Sequence, residues 1–332
     1  MTTFNAFRVH TIDGKPVCRI ERLSLDDLDP GDVTIKVAYS TVNYKDAMAG
    51  RGIGKNVRTD RPCVTGIDLS GTVVSSKDKR FKEGDGVLVT NYKLGTYQDG
   101  GYAEYARVPA DWIVPLPKGL NLREAMELGT SGLTAGLALD RLEKAGLKPE
   151  DGPVAVTGAS GGVGSLAVDT FSSRGFSVTA ISGKAEQVGF LKQIGASSVM
   201  PRQELTAGKE VLGPMTFAAA LDNVGGPILD RLLARTMEFG RVAVCGMAVG
   251  FELQTTVLPF VLRSVDVLGV NVSRTLKMAE RVRLWQRLGS DLKPRHLDAI
   301  TRMVKLEEID ATFDKFIDGS TVGHYVVEIS PA

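Results

Sequence analysis

The stretch PVAVTGASGGVGSLAVDTFSSRGFSVTAISGK, residues 153–184, decides the fold. PVAVTGA is a short, nearly continuous apolar run, the pattern of a parallel strand covered on both faces. The glycines Gly158, Gly161, Gly162 and Gly164 follow at once, and Val163, Leu166, Ala167 and Phe171 then recur at helical spacing. FSVTAIS reads as a second buried strand. Strand, glycine turn, helix and strand make a βαβ unit, and glycines at its turn let a pyrophosphate approach the backbone donors of the helix start. Gly158-Ala159-Ser160-Gly161-Gly162-Val163-Gly164 departs from strict G-x-G-x-x-G, so its position between strand and helix is what points to dinucleotide binding. The turn lacks the lysine of a P-loop, which excludes that route to a kinase or ATPase.

The far end of this unit bears on the cofactor. An acid that reads a ribose diol is expected about 20 residues beyond the glycine turn. Here the second strand ends Ala180, Ile181, Ser182, Gly183, Lys184. A hydroxyl and an ammonium suit a 2′-phosphate better than a neutral diol. Arg202, after the candidate strand SSVM, is placed to close the same pocket, and Glu186 either turns inward or pairs with a basic neighbour. The expected cofactor is NADPH.

Working outward, FAAALD at 217–222, GRVAVCGM at 240–247 and VDVLGVNV at 265–272 read as further sheet strands, with PILDRLLARTM at 227–237 as a helical connection. That alternation predicts a doubly wound α/β domain. Before it, VTIKVAYS (33–40), GTVVSS (71–76), GDGVLVTN (84–91) and YAEYARVP (102–109) read as strands between Gly, Pro and Asp turns, an antiparallel, barrel-like pattern. Residues 121–145 read as helix: Asn121 caps with Glu124 three residues on, while Gly129, Gly132 and Gly136 argue against an unbroken one. Residues 277–292 and 295–309 read as late helical material. HYVVEIS at 324–330 reads as a last strand, which either rejoins the first domain or extends the nucleotide sheet.

The chain has 332 residues, long enough for two domains. Forty Lys and Arg against thirty-nine Asp and Glu give a net charge of +1, so no global field draws in nucleic acid or an anionic membrane. Three cysteines, Cys18, Cys63 and Cys245, form no CxxC pair and no disulfide framework. With no apolar signal core at the N-terminus and no clear membrane span, the expectation is a cytoplasmic protein that binds neither nucleic acid nor membrane.

Asn43, Tyr44, Lys45 and Asp46, the run Gly66–Gly71, the EGDGV turn, the ASGGVG turn and Asp222–Gly226 resemble the zinc-independent branch of the medium-chain dehydrogenase/reductase family along nearly the whole chain. NYKDAMAGRG (43–52), PCVTGIDLSGTV (62–73), residues 91–117 and QTTVLPFVLRSVDVLGVNV (254–272) are similar to the acrylyl-CoA reductase and putative quinone oxidoreductase subgroup. The resemblance implies a GroES-like β-barrel catalytic domain built from both chain ends (1–125 and 300–332) around a Rossmann-type NADP-binding domain (126–299), with the active site in their cleft. It implies a homodimer. It also implies that Tyr44, Ser160, Gly161, Gly162, Val163, Gly164, Ser182, Gly183, Lys184 and Arg202 surround NADPH, with Met247 and Ser273 lining its nicotinamide side.

Zinc is not expected. Asn43 and Tyr44 stand where a zinc-dependent relative would carry its catalytic Cys, Ile67 precedes Asp68 where it would carry His before an acid, and a structural zinc lobe needs four clustered cysteines. The implied reaction is hydride transfer from NADPH to the β-carbon of an α,β-unsaturated acyl-CoA, acryloyl-CoA to propionyl-CoA in the narrowest form. Alternatives are a quinone or enone reductase, or an NADPH-binding protein without turnover. Tyr44 is the candidate catalytic residue, as a positioning group or a proton relay. Asp46 either orients that site or caps its helix, and Asp68 reads as a structural turn residue.

Overall fold

The computed structural model describes residues 3–54, 57–273 and 275–330. In chain order the strands are β1 (Phe4–Ile12), β2 (Lys15–Leu23), β3 (Val33–Val42), β4 (Cys63–Val64), β5 (Asp68–Ser76), β6 (Gly86–Thr90), β7 (Tyr105–Val108) and β8 (Val114–Pro115), then β9 (Val154–Thr157), β10 (Val178–Ser182), β11 (Ser198–Pro201), β12 (Phe217–Asp222), β13 (Thr236–Val244) and β14 (Asp266–Gly269), and last β15 (Thr301–Lys305) and β16 (His324–Glu328). Three helices matter below: α1 (Tyr44–Arg51), α2 (Leu122–Lys144) and α3 (Gly162–Ser173).

The chain divides into two compact units. The first comprises Met1–Ser131, Ser273–Gly289 and Thr301–Ala332. Its larger sheet runs β15-β16-β3-β5-β6-β8, with β7 on β3, and a smaller sheet runs β2-β1-β4. All of these pairs are antiparallel except β15 with β16. The alternating side chains of β3, Val33, Ile35 and Val37, pack on Leu69, Val73, Val87 and Val89 as one core, as the period-2 pattern requires. The C-terminal strand β16 pairs with β3, so the chain end rejoins this unit.

The second unit, Gly132–Val272 and Ser290–Ile300, holds six strands in the order β11-β10-β9-β12-β13-β14, every pair parallel. That is the order of the dinucleotide-binding doubly wound sheet. Its central strands are fully buried, hence the continuous apolar runs of the sequence.

Three features differ from the sequence reading. Residues 301–305, read as helical, form β15; they bury alternate positions and pair in parallel with β16. Ser273–Gly289, assigned by sequence to the nucleotide domain, packs with the first unit, where Arg281 and Trp285 of its helix are completely buried. The hairpin β1–β2 was not read at all, although Asp13 and Gly14 join it with φ of 50° and 75°, the left-handed pair of a type I′ turn.

Candidate active site

The second unit brings the glycine turn and the basic segment to one edge. Strand order reverses between β9 and β12, and ligands of such sheets bind beyond the carboxyl ends of strands at that point. The turn Gly158–Gly164 leaves the end of β9 there, and Gly161 is the N-cap of α3 with no side chain capping the helix. A Cβ on Gly164 would stand 2.2 Å from the Gly158 carbonyl oxygen, so only glycine lets the helix start pack on the turn. Beside it, Ser160 Oγ lies 3.4 Å from Ser182 Oγ, and the Lys184 backbone N–H donates to Ser182 Oγ across 3.1 Å. The Arg202 guanidinium lies against Gly183, because β10 and β11 end in register at Ser182 and Pro201. Glu186 is exposed on the short turn that follows.

Beyond β12, Asp222 is a scaffold residue. Its carboxylate accepts from Thr157 Oγ1 at 2.7 Å and from the Gly225 N–H at 2.8 Å, while Asn223 Nδ2 donates to the Thr157 carbonyl at 2.7 Å. These bonds tie the ends of β9 and β12 together. Met247, 70% exposed, follows β13 on a loop held beside the β12 turn by the Val249 N–H donating to Val224 O.

In the first unit the candidate residues gather around the start of α1. Asn43 and Asp46 form its capping box, with the Asn43 N–H donating to Asp46 Oδ2 at 2.9 Å. Asp46 also accepts from the Ile67 N–H at 3.0 Å, and burial, with Asp68 nearby, pushes its carboxyl up to about 7. Asp46 therefore both caps the helix and anchors Ile67, the residue just ahead of β5. Tyr44 opens the helix with its side chain exposed.

Asp68 is the hub beneath. Its Oδ2 accepts from Thr41 Oγ1 at 2.6 Å, Asn43 Nδ2 at 3.0 Å and the Thr130 N–H at 2.9 Å, and its Oδ1 accepts from Thr130 Oγ1 at 2.6 Å. The Thr130 N–H is available because α2 is kinked at Gly129, with φ 50° and ψ −151°. The glycine-rich helix of the sequence is thus broken to serve Asp68. Above, Asn91 Nδ2 donates to Thr130 Oγ1 at 2.6 Å, Ser273 Oγ donates to Asn91 Oδ1 at 3.3 Å, and Lys45 Nζ donates to Ser273 Oγ at 3.1 Å. Arg281 donates to Thr90 Oγ1 at 2.9 Å and to the Ser273 carbonyl at 3.0 Å. Sequence reasoning assigned no role to Asn91, Thr130 or Arg281. The one local signal was the pair Asn91-Tyr92, which adopts φ of 64° and 57°; asparagine tolerates that conformation and tyrosine rarely adopts it.

The donor set does not suit zinc. The oxygens of Asp46 and Asp68 are occupied by N–H and O–H donors, and a metal would have to displace them. Cys63 Sγ faces the carbonyl oxygens of Val64, Thr96 and Gln98, the surroundings of a thiol donor, and burial pushes it up to about 12. Its loop is tied by Arg58 paired with Asp29 and, at 2.7 Å, with Asp99. Burial likewise raises Cys18 and Cys245 to about 12, so no thiolate nucleophile is prepared. Among the described residues, no three His, Cys, Asp or Glu side chains are grouped to hold a metal ion.

Residues 29–118 match the family described as alcohol dehydrogenase GroES-like domain, and residues 162–287 match the one described as zinc-binding dehydrogenase. The chain is 44% identical to the putative quinone oxidoreductase YhfP of Bacillus subtilis, across 99% of both chains. A crystal structure of that Bacillus protein with NAD bound superposes with a TM-score of 0.95 at 43% identity, covering 99% of this chain and 100% of that one. Identity to the acrylyl-CoA reductase AcuI of Ruegeria pomeroyi is 41%, across 98% of this chain and 99% of that one. The yhdH oxidoreductase of Salmonella enterica, solved in complex with NADP, gives a TM-score of 0.94 at 42% identity, covering 98% and 99% of the two chains.

Proposed function

The chain belongs to the zinc-independent branch of the medium-chain dehydrogenase/reductase family, and we propose that it reduces the carbon–carbon double bond of α,β-unsaturated acyl-CoA thioesters, acryloyl-CoA to propionyl-CoA in particular. It is an oxidoreductase that reduces an activated double bond with NADPH. The acyl-CoA substrate is supported by the 41% identity to an acrylyl-CoA reductase. The observation that carries the choice of NADPH is the end of β10, where the strand ends on Ser182, Gly183 and Lys184 with no ribose-reading acid and the Arg202 guanidinium lies over Gly183. These groups suit a 2′-phosphate, with arginine supplying a planar donor set and lysine a point charge. The glycine cradle, too tight for any Cβ at Gly164, suits a pyrophosphate at the start of α3.

NADPH, when bound, supplies the hydride; the chain supplies binding, orientation and charge. We assign Gly161, Gly162, Val163 and Gly164 to the pyrophosphate, Ser160 with Ser182, Gly183, Lys184 and Arg202 to the adenosine end, and Tyr44, Met247 and Ser273 to the nicotinamide end. Tyr44 acts there as a positioning group. No metal takes part.

A quinone or enone reductase is the second reading, favoured by the 44% identity to a putative quinone oxidoreductase. The two separate in a competition assay with NADPH: acryloyl-CoA turnover, saturating with the thioester and inhibited by other CoA esters, supports the first. Efficient quinone turnover with no acyl-CoA reduction supports the second.

A homodimer is also proposed. β14 is the edge of the parallel sheet with Val267 45% exposed, and the helix that precedes it in the chain, Leu258–Arg263, exposes Val261 and Leu262 at 69% and 60%. An unpaired sheet edge and exposed apolar side chains on the preceding helix are features that a second copy would cover. Light scattering at micromolar concentration should return twice the chain mass; a monomer would refute the proposal.

A further inference from the structure

The chain Lys45–Ser273–Asn91–Thr130–Asp68 has a direction imposed by its ends. An ammonium has only donors and an ionised carboxylate only acceptors, and each hydroxyl between them has one proton. Thr130 gives its proton to Asp68 Oδ1, so it accepts from Asn91 Nδ2; the amide is thereby oriented, and its Oδ1 accepts from Ser273. Ser273 then presents a lone pair to Lys45. Asn91 is 3% exposed, and Arg281 clamps the backbone on both sides by donating to Thr90 O and Ser273 O. A one-way relay of bonds, buried at Asp68 and Asn91 and half-buried at Thr130 and Ser273, thus ends on an exposed ammonium in the first turn of α1, one residue from Tyr44.

The geometry points to Lys45 as the group that faces the negative charge developing on the thioester oxygen, with Ser273 and Asn91 as its positioning residues. The inference deepens the acyl-CoA reading and rests on it. In the step it serves, a hydride passes from C4 of NADPH to the β-carbon with its electron pair, leaving NADP⁺. The C=C π pair moves between the α-carbon and the carbonyl carbon, and the carbonyl π pair moves onto oxygen. A water-derived proton then adds at the α-carbon as the carbonyl reforms. Lys45 contributes charge and transfers no proton. A preorganised cation costs no reorganisation as that charge develops.

The test compares Lys45→Met, Lys45→Arg, Ser273→Ala and Ser273→Thr with the wild type. Readouts are kcat and KM for acryloyl-CoA at saturating NADPH, and NADPH affinity by fluorescence. Lys45 is exposed, so its replacement leaves folding aside. Lys45→Met is expected to lower kcat on the order of 100-fold, the typical effect of losing one oxyanion-stabilising group, with NADPH affinity little changed. Lys45→Arg recovers most of that loss. Ser273→Ala lowers kcat with smaller effect and Ser273→Thr, which keeps the hydroxyl, recovers it. Lys45→Met with wild-type kcat, or with its whole loss in NADPH affinity, overturns the inference and leaves the acyl-CoA reading standing. A wild type inactive on acryloyl-CoA overturns both.

Discussion

The Arg202 guanidinium lies over the Cα of Gly183: a methyl group there would stand 3.0 Å from Nη2, 3.1 Å from Cζ and 3.3 Å from Nε. Near-equal distances to three atoms of one plane mean that the plane faces the glycine, so a methyl group at 183 would make the guanidinium give way by a few tenths of an ångström. Gly183→Ala should push the guanidinium away and weaken NADPH binding roughly tenfold, about the value of one charge-assisted hydrogen bond. NADH affinity should change little. Titration of both cofactors by fluorescence checks it, and an equal loss for both would disconnect Arg202 from the 2′-phosphate.

At Gly129 the backbone itself excludes a Cβ. Its φ of 50° with ψ −151° is accessible to glycine alone, and an added Cβ would meet Asp68 Oδ2 and Thr41 Cγ2 at 2.9 Å. Gly129→Ala should cost about 1–3 kcal/mol from the backbone alone, read by urea denaturation. It should also lower activity, because the Thr130 N–H and hydroxyl would lose their alignment on Asp68.

His324 sets one limb of the pH dependence of stability. It is fully buried, with Nε2–H donating to the Met126 carbonyl at 3.1 Å, and burial holds its ring down to about 4. The unfolded chain takes up the proton near pH 6.5. The stabilisation is therefore complete above that pH and is lost as pH falls from about 6.5 toward 4. His324→Gln, which keeps an N–H donor, should flatten the fall of melting temperature over that window.

Asp46 works in the opposite sense. Its folded value of about 7 lies above the unfolded one, so its contribution is complete below about pH 4 and is lost as pH rises through 7. The gap in stability between wild type and Asp46→Asn should shift in favour of the variant as pH rises from 4 to 8. A gap independent of pH would show that Asp46 does not titrate there.

The donor arrangement around Asp46, Asp68 and Cys63 predicts that prolonged dialysis against a chelator leaves turnover unchanged. Loss of activity restored by added zinc would contradict it.

The nucleotide unit was legible because its information is local. β9, β10 and β12 are apolar runs that end in glycine, Ser182-Gly183-Lys184 and Asp222, and a parallel strand buried on both faces needs little else. The capping box at Asn121 and Glu124 was equally local, and it forms as read, with the Glu124 N–H donating to Asn121 Oδ1 at 2.8 Å. What escaped depends on distant partners. Residues 301–305 carry no strand signal that outweighs their helical neighbours, and it is β16 that makes them a strand. Asn91 and Thr130 are unremarkable polar residues in sequence and acquire meaning because the kink at Gly129 and the left-handed turn at Asn91 bring them together. Asp68, read as a structural turn residue, is a scaffold whose hydrogen bonds lead to Lys45.

The central claim is hydride delivery from NADPH to the β-carbon of an acyl thioester. NADPH carrying deuterium at the transferable C4 position, supplied with acryloyl-CoA and the purified protein, tests it by mass spectrometry and NMR of the product. The account predicts propionyl-CoA with one deuterium on C3, and, when the reaction is run in D₂O with unlabelled NADPH, one deuterium on C2. Absence of propionyl-CoA, or label on C2 from the cofactor, would contradict it.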